Sequence, residues 1–311
     1  MLIGLHDAEY EHMPHKNFPN YALMKISAYH KAKCDKVEWW NALDNDKYDR
    51  IYSSKVFDFT EENPFLPPEK TVKGGTGYGI FTELPPEIDE MFPDYSIYPK
   101  CDYAVGFITR GCPNKCPWCY VPRKEGDIRP YRTWQQLVRS DSEKLVLMDN
   151  NILACEHGID QLRELGSTNY RIDLNQGMDI RLLTDEVCRI LKRLHWIDYI
   201  RFSCDTSSQL PYFERAVEMF DKHRIPKSRV FIYLLVRSDL QEADVRVQEL
   251  HRLCRNFNLY AQPERNDRKG IVPTALQLEF AQRYVYGKSY KKENWREYCL
   301  RRNIKEGNLD V

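Results

Sequence analysis

Long apolar runs, a basic leader and an excess of either charge are all missing from this sequence. No window approaches the roughly eighteen apolar residues that a membrane-crossing helix needs. The opening residues, MLIGLHDAEYEHMPHKNF, have neither the basic start nor the apolar stretch of a secretory signal, so the expected address is the cytoplasm and no membrane partner is expected. Lys and Arg number 46, as do Asp and Glu, which removes any whole-molecule pull toward nucleic acid or lipid; such attraction has to be local. Internal repeats and low-complexity tracts are absent too.

What is present suffices for a folded protein. A chain of 311 residues that is 42% hydrophobic and 13% aromatic buries one large core or two smaller ones. The 10 cysteines, in a reducing compartment, read as thiols and metal ligands rather than disulfides. Seven are scattered (Cys34, Cys101, Cys155, Cys188, Cys204, Cys254 and Cys299) and read for the most part as small buried hydrophobes.

Residues 2–5 read as a strand, NYALMKISAYHKAKC places Ala22, Leu23, Ile26 and Tyr29 at helical spacing, and KVEWW turns extended, which makes a β-α-β start. Residues 49–59 read as a further strand, FLPPEKTVKGGTGYG as loop, and PPEIDEMF as a short helix. Residues 1–100 are therefore expected to form a small, doubly wound (Rossmann-like) parallel α/β domain. Beyond it the strands fall at 103–109, 145–149, 169–174, 198–204, 229–236 and 257–261, alternating with helices at 132–139, 156–166, 184–194, 208–222 and 241–254. Steps of this length suit a partial or closed (β/α) barrel, or an open sheet. The expected fold class is α/β, with the small domain followed by a partial (β/α)6 barrel over 101–262 and a helical, basic–aromatic tail over 263–311.

Cys112, Cys116 and Cys119 lie in FITRGCPNKCPWCYVPRKEG at spacings that would line one face of a helix. Pro117 argues against a helix, since a mid-helical proline costs about 3 kcal/mol or more, and Gly111-Cys112-Pro113 is itself a breaker cluster. A loop that gathers three thiols after a strand is a metal-site candidate. Structural zinc normally takes four protein ligands, and no partner pair follows; an iron–sulfur cluster on three thiolates would keep one iron open; a nucleophilic cysteine would explain only one of the three.

The spacing CxxxCxxC with Trp118 before the last cysteine, at the end of the first strand of a (β/α) barrel, resembles the radical S-adenosylmethionine superfamily. TRGCPNKCPWCYVP is similar to the form found in members with an N-terminal domain of the cobalamin-binding or methylthiotransferase type. The segments PNYALMKISAYHKAKCDKVEWW and DRIYSSKVF look like the helix and strands of such a domain. The resemblance implies that Cys112, Cys116 and Cys119 ligate a [4Fe–4S] cluster and that S-adenosyl-L-methionine chelates the open iron. It implies reductive cleavage of that cosubstrate, hydrogen abstraction from an unknown small-molecule, peptide or nucleic-acid substrate, and an electron donor such as flavodoxin or ferredoxin.

It also implies cofactor contacts at the carboxyl ends of the strands. Tyr120 is expected beside the cluster. Asp149 and Asn150 stand where many members carry Gly-Gly-Glu, a departure from the pattern. RIDLNQG offers Asp173, Asn175 and Gln176, and RFSCDT offers Arg201, Ser203 and Asp205; two-residue alternation puts Asp173 with Asn175, and Arg201 with Ser203 and Asp205. The plain alternative for each is a solvated strand end or a helix cap, as for Asp205 and Thr206.

The cobalamin lower-ligand pattern DxHxxG is absent. His6, His12 and His15 are out of frame and read as exposed, and GGTGYG does not fit GxGxxG, so the domain is read as cobalamin-binding-like in fold but without cobalamin, although some relatives bind it with no protein ligand. Only Cys34 and Cys101 precede the main motif, too few for a second cluster. The alternatives kept open are a cobalamin-type radical methyltransferase and a non-enzymatic module in which the cysteines hold zinc. In that module the tail RYVYGKSYKKENWREYCLRRNIK (283–305) would grip nucleic acid, whereas the plain reading packs its aromatics and leaves its lysines in water.

Overall fold

The strand LIGLHD, β1 (Leu2–Asp7), is buried from Ile3 onward, as befits the middle of a parallel sheet. The computed structural model describes residues 1–12 and 18–304; His15 and residues 305–311 of the tail lie outside these. After β1 comes the helix Tyr21–Ala32, opened by the Asn20 side chain, which accepts the Leu23 N–H at 3.2 Å. Leu23 and Ile26 of this helix pack on Ile3 and Leu5. The sheet is completed by β2 (Lys36–Trp39), β3 (Arg50–Ser54) and β4 (Thr71–Gly74), in the order β2-β1-β3-β4 with every pairing parallel.

Two expectations need correction here. Thr71–Gly74 lies in the stretch read as loop, yet its backbone pairs with Ile51–Ser54 of β3. The double winding is also incomplete: no α-helix links β2 to β3 or β3 to β4. One face carries Tyr21–Ala32 with the short helix Pro86–Asp89, while Tyr48, Ile51 and Leu66 form a small core of turns and loops. A third correction concerns His6, which is buried in β1 rather than exposed, with Nδ1 2.8 Å from Ser53 Oγ.

The second set of strands begins with β5 (Ala104–Gly106). The predicted strand 103–109 breaks after Gly106, and β6 (Thr109–Arg110) pairs antiparallel with β7 (Arg129–Pro130), which brackets the cysteine loop. There follow β8 (Lys144–Leu147), β9 (Arg171–Leu174), β10 (Met178–Asp179), β11 (His195–Trp196), β12 (Ile200–Ser203), β13 (Val230–Val236) and β14 (Asn258–Pro263). They form two parallel sheets, β5-β8-β9-β11 and β10-β12-β13-β14. β9 and β10 are halves of one interrupted strand, as are β11 and β12. The first halves pair with each other and so do the second halves, so six strand positions run side by side in chain order. Among the described residues β5 and β14 are not paired, and no closed barrel forms.

Helices Glu156–Leu165, Asp185–Arg193, Leu210–Lys222 and Leu240–Leu253 fall close to their predicted positions. The predicted helix 132–139 shrinks to one 3-10 turn, Trp134–Gln136, and the first crossover carries a four-residue α-helix at Val121–Lys124 instead. β13 alternates strictly: Val230, Ile232, Leu234 and Val236 are buried, whereas Phe231, Tyr233 and Leu235 are partly open. The tail packs Phe280, Tyr284, Trp295 and Tyr298 into the same core as Phe202, Phe213 and Ile232. Its aromatics are therefore core residues, with Tyr286 the exposed exception. Among the described residues no helix is long and apolar enough to cross a membrane.

The N-terminal layer joins the rest through Met24, Tyr98, Cys101 and Val105. Beside them the buried Lys25 ammonium reaches Asp89 Oδ1 at 2.9 Å and Tyr131 Oη at 3.1 Å.

Candidate metal and cofactor site

The cysteine loop starts where two strands end together. Asp149, just past β8, is buried and accepts the N–H of Ile108 at 3.1 Å, the N–H of Thr109, and the Thr109 hydroxyl at 2.7 Å. Burial pushes its carboxyl up to about 6, against the pull of those donors in the other direction. Asp149 is thus spent on holding the break between β5 and β6.

The next residues turn at Gly111, whose φ of +84° belongs to glycine; a Cβ there would lie 2.2 Å from the Asp127 carbonyl oxygen. Glu125 closes the loop from its other end. Its Oε2 accepts the Gly111 N–H at 3.0 Å and the Asn150 amide at 2.9 Å, and its Oε1 lies 3.0 Å from Arg110. Cys112 N–H donates to the Gly126 carbonyl at 3.2 Å. From Cys112 to Tyr120 the chain is not helical, as Pro117 requires.

Cys112, Cys116 and Cys119 all lie on this loop, free of disulfides. Among the described residues no three His, Cys, Asp or Glu side chains are drawn together as tightly as a bound ion would hold them. Two of the sulfurs accept hydrogen bonds: Cys112 from the Asn151 amide at 3.6 Å, Cys119 from the Val121 N–H at 3.4 Å. Burial raises the Cys116 and Cys119 thiols above the usual range, and the neighbouring thiols and the Asp205 carboxylate add to it. The three thiols and Asp205 thus share one electrostatic neighbourhood.

The other predicted residues divide into groups. Asp173 and Arg201 form an ion pair on the face opposite Ile172 and Phe202, with Arg201 5.9 Å from the Phe231 ring. Asn175 accepts from Tyr233 Oη at 3.5 Å through its carbonyl. Ser203 is half-buried, and its carbonyl accepts from Gln209. Asp205 accepts the Leu235 N–H at 3.3 Å; burial raises its carboxyl, with Leu235, Arg246 and Arg237 acting the other way. Thr206 is the helix cap, in a capping box with Gln209. Asn150 faces Glu125, Gln176 is exposed, and Tyr120 reaches Asp58 at 3.4 Å and lies 5.9 Å from the Phe81 ring.

Sequence reasoning passed over several neighbours. Asp179 binds the Asn114 amide at 3.0 Å and Arg181 at 2.6 Å. Burial works to raise it, but those partners outweigh burial and hold it below the ordinary carboxylate range. Arg237 stacks 5.1 Å from the Trp118 ring. Asn151 lies against Cys112, with its Oδ1 buried and without a partner. Asp179 ends the two-residue strand β10, which the reading of strand 169–174 followed by helix 184–194 did not include; Glu125 and Asn151 carry no local signal. Compared with known proteins, the chain matches no family model and no curated protein.

Proposed function

We propose that this protein is a radical S-adenosylmethionine enzyme in which Cys112, Cys116 and Cys119 hold a [4Fe–4S] cluster. The observation that carries the reading is a donor set of three thiols on one non-helical loop, set past the carboxyl end of β5 and fastened at both ends by Asp149 and Glu125. The donor chemistry fits: soft thiolates suit iron–sulfur clusters, N–H groups already approach two of the sulfurs, and the buried Asn151 Oδ1 lacks a partner beside Cys112. When bound, the cluster would supply the electron for reductive cleavage of the sulfonium of S-adenosyl-L-methionine, the chemistry that arms the site for hydrogen abstraction.

The chain's own residues perform the rest. The six parallel strand positions support a partial (β/α)6 barrel, and the parallel N-terminal layer supports a Rossmann-like, cobalamin-binding-like domain that does not require cobalamin. Cys116 and Cys119 would have to give up their protons on ligation, and because their thiols are held above the usual range the bonds to iron would have to offset that ionisation. Asp205, Asp179 with Arg181, and the Asp173–Arg201 pair line the strand ends with fixed polar groups that orient a polar cosubstrate. Trp118 and Tyr120 flank Cys119 and are braced by Arg237 and Phe81 respectively. The proposed setting is the cytoplasm, where thiols stay reduced and a flavodoxin or ferredoxin can deliver the electron.

Anaerobic reconstitution with iron and sulfide, then a reductant and S-adenosyl-L-methionine, tests this reading by mass spectrometry. We expect 5′-deoxyadenosine from the native chain and none from the variant with all three cysteines replaced by alanine. A native chain that takes up zinc and no iron overturns it.

A further inference from the structure

A second site lies away from the cysteine loop. Helix Leu240–Leu253 starts near the carboxyl end of β13 and runs back toward the start of β14, so its last turn sits at the opposite end of the strands, about 21 Å along a 14-residue helix. Between that turn and the segment 290–297 is an open cavity of about 460 Å³. Its lining carries four exposed cations, Arg252, Arg255, Lys291 and Lys292, and two carboxylates, Glu293 and Glu297.

The charge there is not balanced locally. Arg252 has Glu249 at 2.8 Å, but Arg255, Lys291 and Lys292 have no carboxylate partner among the described residues. The acids of the lining are fewer than its cations: Glu293 is paired with Arg301, and Glu297 accepts the Asn294 N–H at 2.9 Å while keeping its charge. His251 reports the resulting field, since burial, Lys291 and Arg255 together lower its affinity for a proton.

We propose that this groove binds the phosphodiester backbone of a nucleic-acid strand, whatever the cysteine loop does. The cations come from two separate elements and remain spread and exposed, which suits a row of phosphates better than one. No aliphatic side chain lines the cavity, so it offers nothing to the apolar centre of a protein partner. Tyr290 borders the cavity but is only 3% exposed, and Tyr284, Trp295 and Tyr298 are buried as well, so no open ring there can stack a base and recognition is of the backbone, indifferent to sequence.

Fluorescence anisotropy with short labelled single strands of RNA and of DNA, and with polyglutamate, tests the proposal on the full chain. Neutralising four phosphates predicts binding that weakens about 50-fold between about 50 and about 200 mM salt. Lys291→Ala with Lys292→Ala removes two of the four exposed cations and cuts that loss to about 7-fold. The His251 imidazole, followed by NMR, should titrate at higher pH with the strand bound. Binding of only RNA or only DNA identifies the source and upholds the proposal. It is overturned if neither strand binds at the lower salt, if polyglutamate binds as tightly, or if the double variant behaves as the native chain.

Discussion

The backbone N–H of Gly111 donates to Glu125 Oε2 at 3.0 Å, so the residue before Cys112 and a carboxylate six positions past Cys119 meet at the base of one loop. Glu125→Ala leaves Arg110, Gly111 and Asn150 without that acceptor. Losing one partner of a buried ion pair costs about 3 kcal/mol. Urea unfolding should register that loss, and iron uptake on anaerobic reconstitution should fall several-fold while the far-ultraviolet circular dichroism stays native.

Gly111→Ala probes the turn itself. The added Cβ meets the Asp127 carbonyl oxygen at 2.2 Å, and φ is +84°, so the loop has to move. We expect a cooperative unfolding transition much like that of the native chain, with reconstituted iron well below one cluster per chain. Native iron content in this variant would show that the loop tolerates a different entry.

Asp149 gives a pH signature. Its carboxyl is raised to about 6 in the folded chain from an ordinary value near 4, so the folded state holds the extra proton between those pH values. Its contribution to stability is fully present below pH about 4 and is lost as pH rises through about 6, a change on the order of 3 kcal/mol. Urea midpoints across that window should fall for the native chain, and Asp149→Asn should remove this component of the slope. Asp149→Ala strands the Ile108 and Thr109 donors and should cost about 3 kcal/mol at neutral pH.

At the junction of the two parts, Asp89→Ala leaves the Lys25 ammonium buried with Tyr131 and a backbone carbonyl. A loss of about 3 kcal/mol is expected for breaking such a pair from one side. Adding Lys25→Met removes the stranded charge, so the double variant should recover part of the loss; additive losses would mean that the two residues are not coupled.

The helices from Glu156 onward were legible because their apolar period and caps agree, as with Thr184, which accepts the Val187 N–H at 3.2 Å. The proline argument also read the Cys112–Tyr120 loop correctly as non-helical. β4 was hidden because Thr71 and Val72 sit among Pro, Gly and Lys and become a strand only by pairing with β3. The turn at 134–136 looked helical because Trp134, Leu137 and Val138 pack inward without needing a full helix. At the site, strand-end alternation located Asp173 and Arg201 but did not reveal that they pair across neighbouring strands. Glu125, Asn151 and Arg237 act through contacts distant in the chain, which no local pattern encodes.

The Tyr120–Asp58 contact has a consequence for how such a protein can be altered as a gene. Asp58 also meets the Arg268 N–H at 3.4 Å, Arg268 holds the Gly77 carbonyl, and Lys269 reaches the Pro117 carbonyl at 3.3 Å. Three remote stretches of the sequence therefore share custody of one short loop. A recombination event that exchanged the first hundred residues, or the last fifty, for those of another protein would keep Cys112, Cys116 and Cys119 in place. It would still deliver the loop to strangers, so these segments are expected to be inherited together.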